Sequence, residues 1–144
     1  MNSDALVLFG ATGDLAQKKI FPALYAMCRS GALQVPVIGV ASSPWSVEQL
    51  RARARESIEK EGLPMDARVL ERLLSALQYV CGDYQDAASY TALRGALQGA
   101  QRPAFYLAIA PTLFATVVRG LQDAGLANGG RVIIEKPFGR DLAS

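Results

Sequence analysis

The stretch Ala5-Leu6-Val7-Leu8-Phe9-Gly10-Ala11-Thr12-Gly13-Asp14-Leu15-Ala16 decides how the rest of the chain is read. Five apolar residues in a row suit a strand covered on both faces. The strand runs directly into a glycine-rich turn and then into a helical pattern. Such a turn gathers backbone N–H groups and a helix N-terminus at one point, which suits a pyrophosphate. Gly10 permits the tight turn, Gly13 lets the backbone approach phosphate, and Ala16 is small enough for close helix–strand packing. The spacing is G-x-x-G-x-x-A, with Thr12 adding a hydroxyl. Asp14 falls in the first helical turn, where a carboxylate can accept N–H bonds and complement the dipole. Because a bare carboxylate repels phosphate, a structural role is expected for it. An ordinary glycine-containing turn is the alternative, and the position directly after the first strand favours dinucleotide binding.

Outward from this turn, apolar runs at 35–41, 77–81, 104–109 and 131–135 alternate with stripes of helical period. The stripes are Val47, Leu50, Ala54 and Ile58; Val69, Leu70, Leu73, Leu74 and Leu77; Tyr90, Leu93 and Leu97; and Leu113, Phe114, Val117, Val118 and Leu121. The first helical stretch, about 15–29, has Pro22 in its interior and should kink or restart there. Gly125 should cap the last helix. The order β-α-β-α-α-β-α-β-α-β predicts an α/β fold, a Rossmann-like doubly wound parallel sheet. Residues 1–144 read as one dinucleotide-binding domain. The ending Gly139-Arg140-Asp141-Leu142-Ala143-Ser144 reads as the entry to a further helix, so the chain is expected to be truncated.

Composition excludes several classes. The chain has 144 residues, 51% hydrophobic and 19% charged, with a net charge of +2. That excludes disorder and gives no basic stripe for nucleic acid. The two longest uncharged runs, 30–47 of 18 residues and 103–118 of 16, each contain two prolines, so no membrane span is expected. The N-terminus lacks the positive region of a signal peptide. Cys28 and Cys81 are far apart, with no metal-ligand spacing. Both are expected to be small buried apolar groups in a reducing cytoplasm, and no metal site is expected. There is no histidine, so the commonest general base is absent.

The second strand should end near an adenosine ribose. NAD sites place an acid there, but this chain has Ala41-Ser42-Ser43-Pro44. The missing carboxylate leans towards NADP, although no arginine stands at the strand end. Ser42 and Ser43 can donate hydrogen bonds, and Arg51 or Arg53 can be imagined reaching back. The heavier reading for Arg51, Arg53 and Arg55 is a solvated helix face with an Arg55–Glu59 pair. At the end of the fifth strand, Glu135-Lys136-Pro137-Phe138-Gly139 puts Lys136 in the crevice where open parallel sheets bind ligands.

Residues 10–16 followed by Lys18-Lys19-Ile20-Phe21-Pro22-Ala23-Leu24, together with Phe105-Tyr106-Leu107-Ala108 and the segment 135–139, resemble the glucose-6-phosphate dehydrogenase family. The likeness covers nearly the whole chain. It implies oxidation of glucose 6-phosphate at C1 with NADP as hydride acceptor, giving 6-phosphogluconolactone in the pentose phosphate pathway. By resemblance, Gly10, Ala11, Thr12, Gly13, Asp14, Leu15, Ala16 and Gln17 line the pyrophosphate. Ser42 falls where many members have an arginine for the 2′-phosphate, so use of NAD is also possible. Asp83, Tyr84 and Tyr106 lie beside the nucleotide, and Lys136 contacts both substrate and cofactor. The family's general base, a histidine, is expected in a substrate domain absent from this chain. No catalytic residue is therefore assigned here, and the isolated chain is expected to be inactive. A cytoplasmic homo-oligomer is implied for the full-length enzyme.

Two other readings stay open. A short-chain-type reductase also opens with Gly-Ala-Thr-Gly, but no tyrosine here is followed four places on by lysine. A non-catalytic NAD(P)-sensing or scaffold domain fits the missing histidine but gives no reason for the Lys136 motif.

Overall fold

The computed structural model describes residues 4–31, 35–62, 65–97, 99–126 and 131–134. Five parallel strands, β1 (Ala5–Phe9), β2 (Val37–Ala41), β3 (Leu77–Cys81), β4 (Pro103–Leu107) and β5 (Arg131–Ile134), form one sheet in the order β3-β2-β1-β4-β5. The helices are α1 (Phe21–Ser30), α2 (Val47–Lys60), α3 (Ala67–Ala76), α4 (Ala87–Leu97) and α5 (Phe114–Asp123). The predicted element order and the doubly wound parallel sheet are both present.

Alternation along the strands makes two cores. Leu8 and Val37 face α1, α2 and α3, among Phe21, Tyr25, Leu50, Ile58 and Leu73. Val7, Phe9, Ile38, Val40, Phe105 and Leu107 face α4 and α5, among Tyr90, Leu93, Val117 and Leu121. Burial on both faces explains why β1 and β2 read as unbroken apolar runs.

Pro22 acts as expected. A π-helical turn spans Ala16–Ile20, and the chain restarts as α1 with Pro22 in its first turn. Proline has no N–H to continue the ladder, and the Phe21 N–H reaches back to the Ala16 carbonyl instead. Gly125 ends α5 with φ +74°, its N–H on the Gln122 carbonyl at 3.0 Å and the Leu126 N–H on the Leu121 carbonyl at 2.8 Å. This is a Schellman closure.

Three local expectations are corrected. Leu77 fits the stripe of α3, but the helix ends at Ala76 and Leu77 opens β3. Arg55 pairs with Glu71 at 2.7 Å, not with Glu59, because α3 packs alongside α2. Cys28 is buried as expected but Cys81 is exposed, since β3 is an edge strand and its far end is uncovered.

Candidate functional site

The chain leaves β1 for β2 on one side and returns through β4 on the other, so the strand order reverses between β1 and β4. Ligands of open α/β sheets bind in the crevice that opens at such a point. The glycine turn stands in it. Gly10 has φ +85°, a left-handed backbone open to glycine. A Cβ on Gly10 would lie 2.1 Å from the Ala108 carbonyl oxygen, just past β4, so the two strand ends nearly touch here.

Hydrogen bonding divides the amides of the turn. The Gly10 and Ala11 N–H groups both donate to the Val40 carbonyl, at 2.9 and 3.4 Å. The Gly13 N–H donates to the Gly10 carbonyl at 3.0 Å, and the Gln17 N–H to the Gly13 carbonyl at 3.1 Å. Among the described residues, the N–H groups of Thr12, Asp14, Leu15 and Ala16 have no such backbone acceptor. They are the orphan donors of a helix start, and the dipole there favours an anion. Gly13 is exposed, and a Cβ on it would meet only the Gly10 oxygen, at 3.4 Å. The space above it is open to a ligand, so the residues present fit a diphosphate.

The predicted site residues divide by position. Gly10 to Gln17 converge at the crevice. Ala11 and Ala16 are buried beneath the turn, while Leu15 and Gln17 are half-buried. The Gln17 carbonyl accepts the hydroxyl of buried Ser57. Thr12 Oγ1 lies 2.9 Å from Ser43 Oγ, joining the turn to the loop after β2. Asp14 departs from expectation. It is exposed, and no side chain caps this helix start, because Gly13 and the Gly10 carbonyl close the turn through the backbone.

Ser42 is exposed directly after β2, its carbonyl 3.8 Å from Cys81 Sγ. Tyr84 comes beside the turn. Its hydroxyl donates to the Val40 carbonyl at 3.2 Å, and its ring stands edge-on to Phe9 with centroids 5.8 Å apart. Burial raises the Tyr84 pKa, so the hydroxyl stays a donor. Asp83 is exposed after β3, with its carboxylate engaged by the Gln85 N–H at 2.8 Å. Tyr106 packs, half-buried, against the core cluster that also holds Ala11 and Ala16 of the turn. It pairs in register with Leu8, inside the sheet, on the α1 side. Lys136, with the rest of 135–139, lies outside the described residues.

The arginines of α2 are engaged by the fold, and one of them reaches back over the loop that follows β2. Arg51 donates to the Leu77 carbonyl at 2.9 Å. The Arg53 guanidinium lies over Trp45, 5.6 Å from the ring centroid.

Sequence reading missed two residues. The Tyr79 hydroxyl meets the carbonyls of Ser43 at 2.5 Å and Ala41 at 3.2 Å, and burial pushes its pKa up to about 12. Nothing local in the sequence marks it. Gly39 had a signal, as a glycine inside an apolar strand. A Cβ there would lie 2.7 Å from the Ala11 Cβ, so Gly39 lets the turn sit down on β2.

Residues 7–144 match the family model described as "Glucose-6-phosphate dehydrogenase, NAD binding domain". The chain belongs to this family. The domain is 46% identical over 142 residues to glucose-6-phosphate 1-dehydrogenase 1 of Mycobacterium bovis, covering 99% of this chain and 30% of that protein. It superposes with TM-score 0.90 on the crystal structure of glucose-6-phosphate 1-dehydrogenase from Mycobacterium avium, at 45% identity over 98% of this chain and 31% of the other. A structure of glucose-6-phosphate dehydrogenase in complex with its substrate glucose-6-phosphate matches with TM-score 0.83 at 33% identity, over 98% of this chain and 32% of that one. This NAD-binding domain thus spans about 30% of the length of the curated relatives it matches.

Proposed function

We propose that the chain is the coenzyme-binding part of a dehydrogenase that oxidises glucose 6-phosphate at C1, with NADP, and also NAD, as acceptor. The observation that carries this reading is the set of amides at Thr12, Asp14, Leu15 and Ala16 that have no backbone acceptor among the described residues, held at the β1/β4 reversal by Gly10. The nicotinamide of a bound coenzyme would supply the hydride acceptor. The protein's own part is positioning. The amides hold the diphosphate, Gly13 keeps its approach open, and Thr12 ties the turn to the ribose-side loop. Ser42, Asp83, Tyr84 and Tyr106 are proposed along the nucleotide, and Lys136 toward both nucleotide and sugar.

With no histidine in the chain, we assign the proton-accepting base of the reaction to no residue here. We take residues 1–144 as one domain and the substrate domain as lying outside it. A cytoplasmic homo-oligomer acting on a small sugar phosphate, without nucleic-acid or membrane partners, completes the reading. No helix among the described residues is long and apolar enough to cross a membrane.

The test is calorimetric titration of the chain with oxidised NADP and NAD, alongside an assay for reduced nicotinamide formation with glucose 6-phosphate. Saturable binding without turnover is expected. Absence of nucleotide binding, or turnover comparable to that of a full-length dehydrogenase, overturns the proposal.

A further inference from the structure

Phe9, the residue before the turn, is fully buried among three other rings. The Tyr84 ring stands edge-on to it with centroids 5.8 Å apart, and the rings of Phe105 and Tyr90 lie tilted at 6.4 and 6.5 Å. Two of these rings carry hydroxyls, which run in series from α4 to the turn. The Tyr90 hydroxyl donates to the Tyr84 carbonyl at 2.7 Å, and the Tyr84 hydroxyl donates to the Val40 carbonyl at 3.2 Å. The Val40 oxygen also receives the Gly10 and Ala11 N–H groups, the two amides by which the turn hangs on β2.

That oxygen has three donors for two lone pairs. A phenol hydroxyl competes there with two backbone amides, and it stays only if its own backbone is held. The first turns of α4 hold it. Beside the Tyr90 bond, the hydroxyl of buried Ser89 donates to the Asp83 carbonyl at 2.7 Å. Gly120 of α5 leaves the space that the Tyr90 ring fills. Burial raises the Tyr84 pKa and the Gly10 amide opposes that rise, as expected of a hydroxyl lodged beside this N–H. The acceptor of the turn is thus fixed from one side by β2 and from the other by Tyr84.

We propose that Tyr90 and Tyr84 are positioning residues for the nucleotide: their hydroxyls, acting in series, let α4 fix the turn whose amides receive the diphosphate. The inference rests on the nucleotide-binding reading above and deepens it. Tyr90 is the decisive member. It is 3% exposed and spends its hydroxyl on Tyr84, so its effect on a ligand passes through Tyr84 and the Val40 carbonyl. Amides held in place before the ligand arrives need no reordering when it binds, which is where such bracing gains affinity.

The experiment is calorimetric titration of the chain with oxidised NADP for the wild type, Tyr90→Phe, Tyr84→Phe and the double variant. Asp66→Ala, which removes the N-cap of α3 and bonds to neither tyrosine of the series, controls for a general loss of stability. Circular dichroism melts set a temperature at which every variant is folded. Each tyrosine variant should weaken NADP by about three- to tenfold, the worth of one hydrogen bond. The double variant should lose no more than the larger single loss, because hydroxyls in series act as one unit. Asp66→Ala should bind as the wild type does. Unchanged affinity in Tyr90→Phe, or losses that multiply in the double variant, overturns the proposal. So does an equal loss in Asp66→Ala, since affinity would then follow stability alone. If Tyr90→Phe does not fold, Ser89→Ala loosens the same loop at Asp83, and unchanged affinity there overturns the proposal equally. In all of these cases the wild type still binds NADP. A wild type that binds none overturns the reading beneath.

Discussion

Replacing Gly10 and Gly13 with alanine, one at a time, should separate folding from binding within a single turn. At Gly10 the backbone has φ +85°, where an L-residue costs about 1–2 kcal/mol. The new methyl would also stand 2.1 Å from the Ala108 oxygen and 3.0 Å from Ile109 Cγ2, so backbone has to move. That movement strains the Ala108 N–H bond to the Phe9 carbonyl and the Gly10 N–H bond to Val40, each worth about 1 kcal/mol. Gly10→Ala should therefore cost about 3 kcal/mol, a large share of the 5–15 kcal/mol typical of a domain. At Gly13 the φ is ordinary and the methyl would meet only the Gly10 oxygen, at 3.4 Å. Its effect on stability should stay within about 0.5 kcal/mol, as for other exposed positions. The same methyl stands where a diphosphate approaches, so nucleotide affinity should fall about tenfold or more. Urea unfolding gives the first quantity and calorimetric titration the second. Equal destabilisation by the two variants, or unchanged affinity in Gly13→Ala, would refute the division.

Three further outcomes follow from packing, capping and protonation. Gly95→Ala in α4, with open space around the added methyl, should stabilise by up to about 1 kcal/mol through helix propensity. Gly120→Ala in α5 should instead destabilise by about 1–3 kcal/mol, because its methyl would lie 2.3 Å from the buried Tyr90 ring, and thermal melts of the pair should show opposite signs. Ser46→Ala removes the capping box that Ser46 and Gln49 form at the start of α2, and should cost about 1 kcal/mol in urea unfolding. Tyr79 and Tyr90 have folded pKa values raised by burial to about 12 from 10.0. The unfolded chain therefore loses these protons first, and stability should fall as pH rises from 10 to 12. Circular dichroism melts across that window should show the fall, and the Tyr79→Phe, Tyr90→Phe double variant should flatten it.

Much of this fold is legible locally, because the strands are short apolar runs buried on both faces. β1 and β3 have the limits their runs suggest. β2 begins two residues inside its run, after Pro36, and β4 begins at Pro103, whose missing N–H is harmless at a first strand position. Leu77 could be assigned to either neighbour, because one residue can complete a helical stripe and also start a strand. The glycine turn was legible as a unit, since its chemistry lies within a dozen residues. Contacts made across the fold were not. Arg55 finds Glu71 because α3 lies against α2, and no i,i+4 rule reveals that. Thr12 meets Ser43, and Tyr79 meets Ser43, only once β1, β2 and β3 lie side by side. Cys81 is exposed because β3 ends the sheet, a property of strand order and not of its own sequence.

The same circumstance explains why the turn can serve fold and ligand together. The amides that face the sheet, at Gly10 and Ala11, go to one acceptor, the Val40 carbonyl, which Tyr84 also reaches. The amides that face the crevice, at Thr12 and Asp14 to Ala16, follow the point where the chain lifts off β1 and turns into a helix. An anion held there competes with no bond of the fold, and the backbone need not rearrange to receive it. Gly39, lying under Ala11, allows this by letting the turn rest on β2 without a side chain between them. Crowding at that contact would raise the turn from the sheet and misplace all of its crevice-facing amides at once. The residues that shape the site thus extend one strand beyond those that line it.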